Sequence, residues 1–386
     1  MKPRISVIVP TFNRAAFLAP CLESLLRQTL PAHELVVVDD GCTDSTPQVL
    51  GAFEQRRVTV LRTSGQLGKP GAVNLALRHI TGDFVWVFDD DDIAHADALA
   101  RYVGAFAQCP RAGFSYATFD YADSNADGSI GPPTGTSTIP DLAWRGFMAP
   151  LLEANFLGGA ALFVRTACHH ELGLYDESLI RSQDYEIAVR IARRYVGARV
   201  HGPSPFLYRQ HGELRGASAD RFGASERNRK WLEYDRRFVR ALRVDMALDE
   251  YIRPADGSAV PERTQLLQRA AIMASKCLYD EMLEDLGQVV SLDRAVAPSA
   301  MERAVLTRLL LIEPWYGTSS VLEDPEVLRC TAAALATNPL WQRSLLRSLA
   351  RDAAAAVWRR RGAKATLSRL WKVFAGVHRR REQAAH

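Results

Sequence analysis

Four short runs rich in β-branched and aromatic residues, at 5–9, 35–38, 58–61 and 84–88, are separated by segments of helical period. Strands that recur with a helix between them pair in parallel, because a parallel neighbour is reached only through a crossover. A chain that begins this way is constrained to an open α/β sheet with helices packed on its faces. The segment 15–28 reads as a helix with Leu18, Leu22, Leu25 and Leu26 on one face. A second helix begins at Ser45 and a third spans 71–80.

The pattern changes after residue 90. Runs at 114–119 and around Ile130 flank Asp127-Gly128, a tight-turn dipeptide that predicts a hairpin, and the Gly, Pro, Ser and Thr of 128–140 predict a mobile loop. Strands are expected again at 160–164 and 206–208, with a helix at 185–195 between them. Beyond residue 225 strand signals fade, and 231–248, 264–286, 301–311, 325–336 and 340–358 all have helical period without a fixed repeat. The expected division is an α/β domain over 1–225 and an all-helical domain over 226–386, in keeping with a length of 386 residues.

Composition excludes several classes. With 47% hydrophobic and 24% charged residues the chain is not disordered, and its six cysteines (21, 42, 109, 168, 277 and 330) form no CxxC pair. Residues 351–386 hold ten Arg or Lys against Asp352 and Glu382, a local charge of +8 in a chain of net +4, so the remainder carries −4. Nothing outside the tail suggests a nucleic-acid groove. The opening MKPRISVIVPTF has too short an apolar run for a signal peptide, and no stretch approaches the ~20 apolar residues of a membrane span. These features predict a cytoplasmic protein.

In an open α/β sheet the ligand sits outside the carboxyl ends of the strands. Here those ends carry Pro10-Thr11-Phe12-Asn13-Arg14, Asp39-Asp40-Gly41 and Asp89-Asp90-Asp91-Asp92. A solvated turn, with Asp44 or Ser45 as helix cap, explains one of the acidic positions after the second run but not the pair. Four consecutive carboxylates behind the apolar Val85-Trp86-Val87-Phe88 are unfavourable unless water or a cation offsets their charge. Either the loop is solvated, or it holds a hard divalent cation such as Mg²⁺ or Mn²⁺ against a diphosphate. Rival phosphate motifs fail: residues 65–70 (GQLGKP) lack the spacing and hydroxyl of a P-loop, and no GxGxxG follows the first strand.

The run ISVIVPTFNRAAFLAPCLESLLRQTLPAHELVVVDDGCTDST, followed by TGDFVWVFDDDD, resembles the GT-A fold of family 2 glycosyltransferases, over residues 4 to about 215. The resemblance implies an inverting transfer of sugar from a nucleotide-diphosphate sugar, UDP-sugars favoured, to an acceptor hydroxyl on a glycan, a lipid-linked saccharide or another molecule. It implies that Pro10, Thr11 and Phe12 line the base and that Asp40 binds uracil or its ribose. Lys69, in GKPGAVN, would lie near the nucleotide, Asp89 and Asp90 would face ribose and donor sugar, and Asp91 would bind the metal, with Asp92 bracing the loop. Residues 173–177 (GLYDE) match the stretch before the catalytic region, and Asp184, in Ser182-Gln183-Asp184-Tyr185-Glu186, matches the general base. Gln183 stands where a glutamate is usual. Asp184 also suits a helix N-cap, and both roles are compatible. His211 matches a histidine near the metal, and a lone histidine can equally be a packed residue. Residues 155–160 (NFLGGA) resemble the floor of the acceptor side. A silent nucleotide-sugar-binding scaffold is the alternative, disfavoured because Asp91 and Asp184 are both present.

The tail adds one more expectation. Leu367, Leu370, Trp371, Phe374 and Val377 form a helical stripe within 363–381, surrounded by Lys364, Arg369, Lys372 and Arg379 to Arg381. Such a helix either lies on the inner face of an anionic membrane as a peripheral contact or packs its stripe on the helical domain.

Overall fold

In a computed structural model the structure describes residues 2–125, 128–211, 226–312, 320–321 and 323–343. The opening alternates as the sequence predicts: β1 (Ile5–Thr11), α1 (Ala15–Leu26), β2 (Glu34–Asp39), α2 (Thr46–Glu54), β3 (Val58–Arg62), α3 (Gly68–Leu77) and β4 (Phe84–Val87). There follow β5 (Ile93–Ala94), α4 (Ala98–Gln108), β6 (Phe114–Tyr116), β7 (Asp120–Ser124), β8 (Ile130–Thr136) and α5 (Met148–Glu153). Then come β9 (Leu162–Arg165), α6 (Thr166–Leu172), α7 (Gln183–Arg194), β10 (Gly197–Arg199) and β11 (Phe206–Gln210). The described remainder is helical: α8 (Arg227–Asp245), α9 (Glu262–Ser275), α10 (Tyr279–Ser291), α11 (Ala300–Leu311) and α12 (Pro325–Ala336), with a 3₁₀ turn at Leu248–Tyr251.

Residues 1–141 and 155–234 form one compact unit, and 142–154 and 235–386 form the other. The first holds a seven-stranded sheet in the order β10-β6-β9-β4-β1-β2-β3. Its β4-β1-β2-β3 half is parallel, and β9 runs antiparallel to both β4 and β6. Every residue of β1 is buried, as a strand covered on both faces requires. On one side Leu18, Cys21, Leu22 and Leu25 of α1 join Val7, Val9, Trp86 and Phe88 in the core. A second sheet, β5-β11-β7-β8, begins immediately after the carboxylate run. It places β11 beside that run, with Leu207 opposite Ile93 and Phe206 opposite Ala94.

Four expectations are corrected. The hairpin exists, but its first strand is β7 at 120–124, whereas 114–116 belongs to the large sheet. The loop expected at 128–140 contains the strand β8: Pro132 and Pro133 read as loop, yet β8 is an edge strand, where a proline need not donate. The single helix expected at 264–286 is two. α9 ends in a turn where Cys277 takes a left-handed φ of 51°, and no glycine or proline marks the break. The third helix starts at Gly68 rather than 71 and ends at Leu77. Asp127, the helix at 340–358 beyond residue 343, and the stripe at 363–381 lie outside the described residues. Among the described residues no helix is long and apolar enough to cross a membrane.

The second unit is stabilised by buried ion pairs as well as apolar packing. The Glu153 carboxylate is fully buried and meets Arg145, Arg308 and, at 2.9 Å, the Gln268 amide. Removing one member of a buried pair leaves its partner's charge uncompensated. Glu153→Ala should therefore cost about 3–5 kcal/mol, read from the denaturant midpoint. A loss within about 0.5 kcal/mol would show that the arginines find other partners at no cost.

Candidate active site

The ends of β1, β2 and β4 converge because the three strands are parallel neighbours: Thr11 pairs with Asp39, and Ile8 with Val87. Thr11 is buried at the last position of β1, with Pro10 inside the strand and Phe12 just beyond it. Asp40 is only 3% exposed. Its two oxygens accept the amides of Leu67 (2.7 Å) and Gly68 (2.8 Å), so it satisfies two orphan donors at the start of α3. Burial raises its pKa, while those amides act in the opposite direction. Asp39 accepts the Cys42 amide at 2.9 Å and Asp44 accepts the Thr46 amide at 2.9 Å. The acidic run after β2 thus has capping work of its own.

The Asp89–Asp92 loop is a different environment. One carboxylate oxygen each from Asp89, Asp91 and Asp92 can be taken so that all lie within 4.8 Å of one another. Asp92 is 0% exposed. Its Oδ1 accepts the Arg209 amide at 2.9 Å, while its buried Oδ2 has no hydrogen-bond partner among the described residues. Burial, with Asp91 adding, raises Asp92 well above the ordinary carboxylate range and pushes Asp90 up to about 7. A buried, crowded, oxygen-only donor set with one unsatisfied oxygen fits a hard divalent cation. His211 donates or accepts through Nε2 at 2.9 Å from Asp91 Oδ2, and its ring lies 5.2 Å from that of Phe17. The histidine therefore reaches the loop through Asp91.

A second cluster forms where β4 meets the start of the 3₁₀ turn Gly159–Ala161. The Lys69 ammonium pairs with Asp89. A Cβ placed on Gly159 would lie 3.4 Å from Asp184 Oδ2, 3.5 Å from Lys69 Nζ and 3.7 Å from Asp89 Oδ2. The three charged groups therefore surround the bare face of a glycine. The neighbouring Gly158 has a φ of +45°, with the Phe119 ring 3.1 Å from where its Cβ would be. Burial opposes the charge on Lys69, but Asp89 and then Asp184 outweigh it and raise its pKa. For Asp184, burial raises the pKa, Lys69 opposes and Asp89 adds.

The N-cap role is not what Asp184 does. The helix α7 starts one residue earlier than Asp184, Ser182 occupies the cap with a φ of 58°, and Asp184 Oδ1 accepts the Tyr185 amide at 3.0 Å. Asp184 sits in the first turn, where a carboxylate is favourable toward the helix dipole.

Two further groups are absent from the sequence reading. Arg209 is 1% exposed. It donates to the Asp91 carbonyl (2.7 Å), the Gly128 carbonyl (3.0 Å) and the Ser124 hydroxyl (3.2 Å). Its signal was the period of two in β11, which puts Arg209 on the face of His211. Asn74 exchanges bonds with the Tyr175 backbone (2.9 and 2.8 Å) and donates to Glu177 (2.8 Å), stitching α3 to residues 175–177. Nothing in helical period announces that contact.

Comparison with known proteins gives the frame for these groups. Glycosyltransferase GlyG of Streptococcus pneumoniae is 36% identical over 101 residues, 26% of this chain and 34% of that protein. WfgD of Escherichia coli, a UDP-Glc:α-D-GlcNAc-diphosphoundecaprenol β-1,3-glucosyltransferase, is 29% identical over 122 residues, 32% of this chain and 48% of that one. The matched stretches thus span between a third and a half of these relatives. In fold, the chain is similar to Staphylococcus aureus TarS 1–349, solved with UDP-GlcNAc, at a TM-score of 0.50 and 16% identity, over 99% of this chain and 92% of that one. Residues 6–162 match the model of glycosyl transferase family 2. With the parallel sheet and the carboxylates at its strand ends, that match identifies residues 6–162 as a glycosyl transferase family 2 domain within a unit of GT-A fold.

Proposed function

We propose that the protein transfers a sugar from a UDP-sugar to an acceptor hydroxyl with inversion, using a divalent cation, Mn²⁺ or Mg²⁺. The observation that carries this is the placement of Asp184 beside Gly159, facing Lys69 and the Asp89 end of the carboxylate loop. A proton acceptor thereby lies next to the loop that would hold the donor's diphosphate. Asp89, Asp91 and Asp92 would hold the cation, with His211 orienting Asp91, and the cation would offset charge on the leaving diphosphate. Pro10, Thr11, Phe12, Asp40 and Asp90 would bound the nucleotide side. Asp184 takes the proton of the acceptor hydroxyl as its oxygen bonds to the anomeric carbon, and the UDP leaves from the opposite face with the bonding electrons. Its raised pKa makes it a stronger proton acceptor than an ordinary aspartate.

UDP as the nucleotide is supported by the donor in WfgD's name and by the ligand of TarS. WfgD's diphosphoundecaprenol acceptor supports a lipid-linked saccharide as the acceptor here. The functional division at about residue 225 would leave catalysis to the first part of the chain. Incubating the protein with UDP-glucose, UDP-galactose and UDP-GlcNAc in Mn²⁺ or Mg²⁺, and measuring UDP release, tests the donor without an acceptor. Release from at least one, lost in chelator, is expected; no release from any of them, with no UDP binding, would refute the assignment.

A further inference from the structure

Lys69 is the second residue of α3, and both ends of its surroundings are pinned. The start of the helix is fixed by Asp40 on the amides of Leu67 and Gly68. The body is stitched through Asn74 to the backbone of Tyr175 and to Glu177, in the segment that leads toward α7. The buried Tyr175 neighbours both Lys69 and Asp184. Lys69 is therefore built into the same assembly as Asp184, and its ammonium reaches from there to Asp89 behind β4.

We propose that Lys69 is a positioning residue for Asp184: its ammonium, anchored on Asp89, holds the Asp184 carboxylate beside Gly159, and it does not act by contacting the nucleotide. This rests on Asp184 being the base. Asp184 Oδ2 and Asp89 Oδ2 approach the same bare face of Gly159, within 3.4 and 3.7 Å of where a Cβ would stand. Two carboxylates so placed repel, and a compact ammonium 3.5 Å from that point offsets both. Without it, Asp184 is expected to turn away from Asp89 while α7, held by its own packing, stays in place.

The test compares Lys69→Met, Lys69→Arg and Asp184→Asn in three measurements: UDP affinity by calorimetry in Mn²⁺, UDP release from UDP-sugars, and the crystal structure of Lys69→Met. We expect Lys69→Met to keep UDP affinity within about threefold and to lose about 10²-fold in release rate, with Lys69→Arg recovering part of it. In the crystal the Asp184 carboxylate should have left Gly159. Loss of UDP affinity at unchanged release rate, or an unmoved Asp184 carboxylate, would overturn the proposal. Should Asp184→Asn release UDP at the wild-type rate, the base assignment itself is wrong, a result separate from either outcome at Lys69. The crystal structure decides the positioning role even if no UDP-sugar turns over.

Discussion

Asp184→Asn should bind UDP as tightly as the wild type and transfer or hydrolyse sugar ~10² to 10⁴ times more slowly, the loss typical of removing a general base. The amide occupies the space of the carboxylate and can still accept the Tyr185 amide that Asp184 Oδ1 accepts at 3.0 Å, so α7 should be unaffected. What changes is the group facing Gly159: the carboxylate presents Oδ2 there, and the amide presents an NH2, which cannot take a proton. In the wild type, burial raises the pKa of Asp184. As the proposed base the carboxylate would act only when ionised, so the acid limb of the rate profile should lie above the ~3.9 of an unperturbed aspartate and vanish in the variant. Steady-state rates against pH, with calorimetry of UDP, check both halves. A variant at the wild-type rate would require a base elsewhere.

How far this site was legible follows from what periodicity records. Strand ends are marked in sequence because β1, β2 and β4 are each short, buried and followed by polar residues, so Thr11, Asp40 and Asp89–Asp92 fall on one edge from the sequence alone. Capping at Asp44 or Ser45 was legible for the same local reason: Ser45 takes the N-cap position of α2 and Asp44 accepts the Thr46 amide. A motif singles out Asp184, but not its geometry: a helix start is uncertain by a residue or two, and that shift moves Asp184 from the cap into the first turn. Contacts between distant segments leave no period at all. The Asn74 bonds to Tyr175 and the meeting of Lys69, Asp89 and Asp184 at Gly159 depend on how α3, β4, a 3₁₀ turn and α7 pack together. The β8 strand was missed because glycine and proline signal loops in general and edge strands only in a sheet whose order is known. The break at Cys277 was hidden because its left-handed conformation carries no glycine.

The cation loop leads to the second large effect. In Mn²⁺ the wild type should bind UDP tightly, and in chelator the affinity should fall by roughly 10²-fold, because the diphosphate would then face the carboxylates with nothing to offset their charge. Asp91→Ala should bind UDP weakly in both conditions. Its side chain supplies one of the three mutually close oxygens and is the group that His211 meets at 2.9 Å, so its loss would remove a proposed ligand and the anchor of the histidine together. His211→Ala should be milder, needing roughly 10 to 100 times more Mn²⁺ to reach the same UDP affinity, the usual cost of losing a group that orients a ligand. The ranking separates two arrangements. A histidine bound to the cation directly would make His211→Ala as severe as Asp91→Ala, whereas one acting through Asp91 leaves Asp89 and Asp92 in place with a less ordered partner. Titrating Mn²⁺ at fixed UDP in the calorimeter reads all three proteins on one scale. Equal UDP affinity in chelator and in metal, for wild type and Asp91→Ala alike, would remove the cation from the site and leave Asp92 Oδ2, which has no partner among the described residues, to be explained by protonation, in keeping with its raised pKa.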